Sequence, residues 1–152
     1  MKKVYADENW CLACGLCNVH CRTVHSETKD IVKAHNFEKA RPKSRLHIEQ
    51  GEKVNFALQC RHCDDPKCVS ACITGAMQKD PETGIVTNET ERCVGCWTCV
   101  LACPFGAIAR DEDAGKVAAK CDLCASSGEP ECVKHCPNNA LKYEDRGDKL
   151  ET

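Results

Sequence analysis

Sixteen cysteines fall into four runs of four, and nothing else in this 152-residue chain restricts its fold as severely. The runs are Cys11-Cys14-Cys17-Cys21, Cys60-Cys63-Cys68-Cys72, Cys93-Cys96-Cys99-Cys103 and Cys121-Cys124-Cys132-Cys136. Each opens C-x2-C and closes C-x3-C. The middle gap is two residues in the first and third runs, four in the second and seven in the fourth. No cysteine is left over. Self-similarity of this kind means that one structural unit is built several times.

Thiols at this density must be crosslinked or bound to metal. The opening stretch MKKVYADENWCLAC has two lysines but no apolar segment, so no secretory leader is read there. A disulfide framework needs an oxidising compartment and is disfavoured on that ground. No stretch reaches the roughly 18 apolar residues of a membrane span, so no direct membrane anchor is expected. A cytoplasmic, reducing location is expected instead. The hydrophobic fraction of 42% includes the cysteines, and aromatic residues make up only 5%. So few large apolar side chains leave metal binding as the source of the missing folding energy. Charges of both signs are interspersed and the formal net charge is −2, which argues against a nucleic-acid surface.

The spacing distinguishes between metals. Structural zinc sites of four cysteines pair two knuckles across a longer loop. Three cysteines at i, i+3 and i+6 instead wrap one side of a multi-iron core, with intervening N–H groups turned toward sulfur. The third run, CVGCWTCVLACP, matches the two-cluster ferredoxin formula C-x2-C-x2-C-x3-C-P, in which the last cysteine ligates the other cluster. The fourth run keeps the proline as Pro137; the first two have Arg22 and Ile73 there. Gly15 and Gly95 are expected to let backbone approach the core closely. Trp97 is read either as a shield against water or as ordinary packing. His20 and His135 are read as solvated neighbours or as hydrogen-bond donors to sulfur.

Which runs share a cluster follows from chain length. The second and third are joined by 20 residues, as in a contiguous two-cluster ferredoxin, which leaves the first and fourth to pair across the chain. The residue before the last cysteine agrees: His20 and His135 in the outer runs, Ala71 and Ala102 in the inner ones. The expected ligand sets are Cys11, Cys14, Cys17 and Cys136; Cys60, Cys63, Cys68 and Cys103; Cys93, Cys96, Cys99 and Cys72; and Cys121, Cys124, Cys132 and Cys21. Tandem pairing of neighbouring runs is the competing arrangement.

The expected fold is α+β: two bacterial-type ferredoxin-like modules, one nested within the other, with short hairpins and long loops. Residues 1–40 and 110–145 form the outer module and 55–109 the inner one, within a single four-cluster unit. Residues 45–58 alternate around Gln50-Gly51 and read as a hairpin, and DPETG marks the turn of another after the second run. ITGAMQKD, PFGAIARD and PNNALKYE, which follow three of the runs, each read as a turn leading to a small apolar segment and then to charge, as in a short edge strand. Residues 22–44 read as a connecting loop with a helical turn around Asp30–Ala34, so that 22–58 joins the modules. The polar end DRGDKLET reads as loose, chiefly over 146–152.

With these runs in view, the chain resembles the four-cluster ferredoxin-like electron-transfer subunits of anaerobic oxidoreductases, from Tyr5 to about Tyr143. HSETKD, RPKSRLHIE, LQCRHCDDPKC and KCDLC are similar to the iron–sulfur subunit of carbon monoxide dehydrogenase. Similar small subunits accompany tungsten aldehyde oxidoreductases and formate dehydrogenases. The resemblance implies four 4Fe-4S clusters, since no run has lost a cysteine, and the nested pairing given above. It also implies a non-catalytic subunit in a hetero-oligomer, between a larger catalytic subunit and a second donor or acceptor protein. No nucleophile–base pair or nucleotide fingerprint is present, so cofactors would carry the reaction. A free polyferredoxin is the alternative; an oxygen or iron sensor would need fewer clusters.

Overall fold

Strand β1 (Lys3–Ala6) pairs antiparallel with β8 (Leu141–Glu144), with Val4 opposite Tyr143, so residues 139 positions apart in the chain lie side by side. Everything else hangs between these two strands. The computed structural model describes residues 1–40, 43–113 and 117–146. In chain order after β1 come α1 (Leu16–Val24), α2 (Ile31–Asn36), β2 (Leu46–Gln50), β3 (Asn55–Gln59) and α3 (Lys67–Ser70). Then follow β4 (Met77–Lys79), β5 (Val86–Asn88), α4 (Thr98–Ala102), β6 (Ile108–Asp111), β7 (Val117–Lys120) and α5 (Glu131–Lys134), before β8.

The eight strands make four separate two-stranded sheets, β1–β8, β2–β3, β4–β5 and β6–β7. Such ribbons are marginal alone and hold their shape only by packing one face on something else. In β2–β3, Leu46 faces Gln59 and Ile48 faces Ala57 on the inner side, while His47 and Glu49 alternate outward. The inner side of this hairpin joins Val4, Leu123 and Leu141 in one small core that also contains Cys17, Cys21 and Cys132. A second small core gathers Met77, Val86, Ile108 and Ala118 around Cys68 and Cys99. Helix α1 packs on α5, and α3 packs on α4. Each core thus has few large aliphatic side chains and a share of cysteines from two different runs.

Both expected hairpins form. The turn of β2–β3 lies over Gly51–Val54, where the Gly51 N–H donates to the Val54 carbonyl at 2.9 Å, slightly beyond the Gln50-Gly51 position read from the sequence. The β4–β5 turn is set by Asp80, whose carboxylate accepts from the N–H groups of Glu82 and Thr83 at 2.8 and 2.9 Å. MQK, IAR and LKY lie in strands β4, β6 and β8. The stretch 22–44 carries more helix than expected. Helix α1 continues to Val24, and α2 begins at Asp30, whose side chain accepts from Val32 and Lys33 as an N-cap. In the expected loose end, Glu144 and Arg146 pair at 2.6 Å, and residues 147–152 lie outside the described residues. No helix among the described residues is long and apolar enough to cross a membrane.

Candidate metal centres

The four runs share a local construction. The residue two after the first cysteine is left-handed in every run: Ala13 at φ 52°, His62 at 45°, Gly95 at 67° and Leu123 at 57°. Three of these carry a side chain, for which this conformation costs about 1–2 kcal/mol each. The turn aims backbone donors at sulfur: the His62 N–H donates to Cys60 Sγ and the Leu123 N–H to Cys121 Sγ, both at 3.4 Å. The third cysteine then takes the second position of a short helix in every run: Cys17 in α1, Cys68 in α3, Cys99 in α4 and Cys132 in α5. All four are buried, at 7–9% exposure.

The variable middle gap selects how the chain enters that helix. With two residues available, the first and third runs start it from a left-handed residue, Gly15 (φ 82°) and Trp97 (φ 62°). The longer gaps of the second and fourth runs end instead in Pro66 and Pro130 at the N-cap. The carbonyl of Pro66 accepts from Val69 at 2.9 Å, and that of Pro130 from Val133 at 3.0 Å. The P-x-C signal at both sites was present in the sequence and passed unread.

None of the sixteen cysteines is joined in a disulfide. Cys11, Cys14, Cys17 and Cys136 line one cavity of about 380 Å³ together with Trp10, Ile48 and Leu141. Cys21, Cys121, Cys124 and Cys132 line another of about 310 Å³, beside His25, Arg45 and Asp122. The thiols of the inner runs group by mutual influence. Burial raises Cys63 and Cys68, and the nearby charges of Cys60 and Cys103 raise both further. Burial pushes Cys99 up to about 11, with Cys93 and Cys72 adding to it, and Cys72 also bears on Cys96. In the outer runs, burial and then Cys14, Cys11 and Cys136 place Cys17 at about 11. Burial raises Cys132 as well, followed by Cys121, Cys21 and Cys124. In every run at least one of the first three cysteines therefore has the last cysteine of a different run as neighbour.

This donor set fits a multi-iron core better than a single ion. Four thiolates buried together need positive charge among them, because desolvation alone drives them to the neutral thiol. A lone tetrahedral zinc with sulfur at about 2.3 Å would draw its four ligands to within about 4 Å of each other. Among the described residues, the one group of three or more ligating side chains with all donor atoms within 4.8 Å is His25, Asp122 and Cys124, not a set of cysteines. One buried donor is left unpaired. Val86 N–H donates to His62 Nδ1 at 3.0 Å, so the proton of this neutral ring sits on Nε2. That N–H is fully buried with no protein acceptor.

The site also contains charge that the spacing did not announce. His25 Nδ1 donates to the Cys21 carbonyl at 2.7 Å while Nε2 faces Asp122 at 3.2 Å; both partners are acceptors, so the ring is an imidazolium. Its pKa stands at about 9: burial opposes the charge, and Asp122 and Cys21 favour it. Arg45 donates to the same carboxylate at 2.7 Å, and its backbone N–H donates to Cys21 Sγ at 3.3 Å. Burial would raise Cys21, but these donors outweigh it and hold the thiol below its ordinary range. Trp97 lies under the Arg110 guanidinium, 5.6 Å from its ring centre.

Paired loops of buried thiols on short helices, joined by two-stranded ribbons, define an iron–sulfur protein of the ferredoxin-like class. Residues 52–146 match the 4Fe-4S dicluster domain, and the chain belongs to that family. It is similar to the electron transport protein HydN of Escherichia coli (strain K12), with 37% identity over 97% of this chain and 90% of HydN. It is 35% identical to the thiosulfate reductase electron transfer subunit PhsB of Salmonella typhi, over 90% of this chain and 72% of that one. The NADH-dependent phenylglyoxylate dehydrogenase subunit beta of Aromatoleum evansii is 38% identical over 88% of this chain, which spans only 28% of that subunit. Among solved structures, the active site complex BamBC of benzoyl coenzyme A reductase shares the fold. The TM-score is 0.52 with 24% identity, over 97% of this chain and 80% of that one.

Proposed function

We propose that this chain is a non-catalytic electron-relay subunit holding four 4Fe-4S clusters. The ligand sets are Cys11, Cys14, Cys17 and Cys136; Cys60, Cys63, Cys68 and Cys103; Cys93, Cys96, Cys99 and Cys72; and Cys121, Cys124, Cys132 and Cys21. Two cavities each lined by four thiols, three from one run and one from another, carry the reading. The packing of α1 on α5 and of α3 on α4 supports a nested pair of two-cluster modules. Each cluster, when bound, takes up and gives back one electron at a time, and the chain supplies spacing and insulation.

The thiols also give the sets an order. Cys99 feels Cys68, Cys121 feels Cys60, and Cys132 feels Cys17. The sets therefore run from that of Cys93, through that of Cys60 and that of Cys121, to that of Cys11. The two exposed thiols, Cys14 and Cys96, belong to the two end sets. Exposed apolar side chains lie beside both in sequence, Trp10 and Leu12 at one end, Val94 and Leu101 at the other. Large exposed apolar groups of this kind suit protein contacts. A relay with an entry and an exit follows, between the catalytic subunit of an oxidoreductase and a second carrier; PhsB is named as the electron transfer subunit of such an enzyme, thiosulfate reductase. Carbon monoxide, aldehyde and formate oxidoreductases are the partner classes that the sequence resemblance favours.

HydN, of nearly the same extent, is named as an electron transport protein, which favours a free carrier as the second reading. Anaerobic purification from the native source separates the two. A relay subunit elutes with a larger subunit in fixed ratio, with about sixteen irons per chain. Elution alone with that iron supports the free carrier, and zinc without iron removes both readings.

A further inference from the structure

The peptide of Val86 in β5 is gripped from both sides. Its N–H donates to His62 Nδ1, and its carbonyl accepts from Lys120 Nζ. The same ammonium donates to the carbonyl of Cys121 at 2.8 Å. Lys120 is 3% exposed, and both named acceptors are backbone carbonyls rather than carboxylates. A lysine buried on these terms is costly, and the thiolate-bound cores beside it supply the compensating negative charge. One neighbour is the second run, through His62; the other is the fourth run, which begins at the next residue. His62 adds no second charge, since its Nδ1 is an acceptor.

We propose that Lys120 is a fixed buried cation that raises the reduction potentials of the clusters of the second and fourth runs together. This rests on the ligand sets given above. Reduction adds one negative charge to a cluster, and a cation held nearby in low dielectric stabilises that added charge more than it would in water. Lys120 is a positioning and tuning residue, and its effect is confined to the two middle members of the row. They are thereby kept easier to reduce than they would be with a neutral side chain.

The test is an EPR-monitored redox titration of the full chain, loaded anaerobically, as wild type, K120M, K120Q and K120R. Wild-type iron and sulfide are measured first: zinc, or fewer than four clusters, defeats the ligand reading before any variant is compared. The expected result for K120M is that two of the four signals move to lower potential. At the wild-type midpoint, their reduced-to-oxidised ratio drops at least tenfold, or 59 mV for a one-electron couple. K120R returns them to within threefold of wild type. Should K120M fail to hold its iron, K120Q, which keeps a donor and loses the charge, takes its place. Unmoved potentials in a fully loaded neutral variant overturn the proposal, as does an equal shift of all four signals. Loss of iron from both neutral variants also overturns it and makes Lys120 a structural residue.

Discussion

His20 and His135 stack face to face, with ring centroids 3.6 Å apart and planes 7° from parallel. One ring comes from α1 and the other from just beyond α5, each immediately before the last cysteine of its run. The likeness of these two positions, set against Ala71 and Ala102 in the inner runs, is therefore a contact. Neither of the roles read from the sequence describes it. The rings are partly shielded by each other, and His135 Nδ1 is engaged with the Glu131 carbonyl at 3.0 Å rather than with sulfur. Burial, and then His135, lowers the pKa of His20, which favours the neutral form of that ring.

Aromatic pairs favour offset or edge-on arrangements, so this face-to-face contact contributes chiefly through the ring area each histidine covers, about 1 kcal/mol. His20→Ala and His135→Ala are each expected to speed anaerobic bleaching in urea, followed by the iron–sulfur absorbance at about 400 nm, by roughly fivefold. The double variant should bleach scarcely faster than either single one. Fully additive effects would show that the stack couples nothing.

Cys21 lies in the first run but lines the cavity of the fourth. Cys21→Ser is expected to lose about four irons of roughly sixteen. Its remaining EPR signals should match those of Cys124→Ser, whereas Cys136→Ser should match Cys14→Ser. A Cys21→Ser spectrum that matched Cys63→Ser would support tandem pairing instead, and one that matched Cys14→Ser would mean that the first run holds a cluster by itself.

Gly15 has φ 82°, and a Cβ there would meet nothing within 4 Å. Backbone strain is then the whole cost of Gly15→Ala, about 1 kcal/mol, and Gly15→Asn should cost less because asparagine tolerates this conformation. Relative urea midpoints of the loaded proteins test the ranking. Equal behaviour of alanine and asparagine would mean that the left-handed entry to α1 is not what glycine supplies.

Asp30 caps α2 through two N–H groups, at 3.0 and 2.9 Å. Asp30→Ala should weaken that helix by about 1 kcal/mol, seen as faster amide exchange over residues 31–36 with iron content unchanged. Iron loss in this variant would show that α2 braces the α1 cysteines as well as covering them.

Much of the local structure was legible because it depends on short-range rules. DPETG announces its turn through Asp80, and the alternation of residues 45–58 announces a hairpin whose inner side is Leu46, Ile48 and Ala57. The left-handed positions at Ala13 and Leu123 were not legible, since neither residue type favours that conformation, and His62 is only a weak signal for it. The surroundings impose it by directing N–H groups at sulfur. Lys120, His25 and Asp122 read as ordinary charged residues because sequence does not reveal burial, and burial is what gives their charges reach.

By itself, the sequence determined that four like units would form, each presenting three thiols from a turn and the first turn of a helix. C-x2-C and C-x3-C set distances over a few residues, where covalent geometry leaves little choice. Chain length and the matching histidines indicated which runs pair, but only tertiary structure placed the last cysteine of a run beside the thiols of another. Its neighbours depend on α1 lying against α5 and α3 against α4. Those contacts arise when β1 meets β8 across the whole chain, bringing together residues that no local pattern connects.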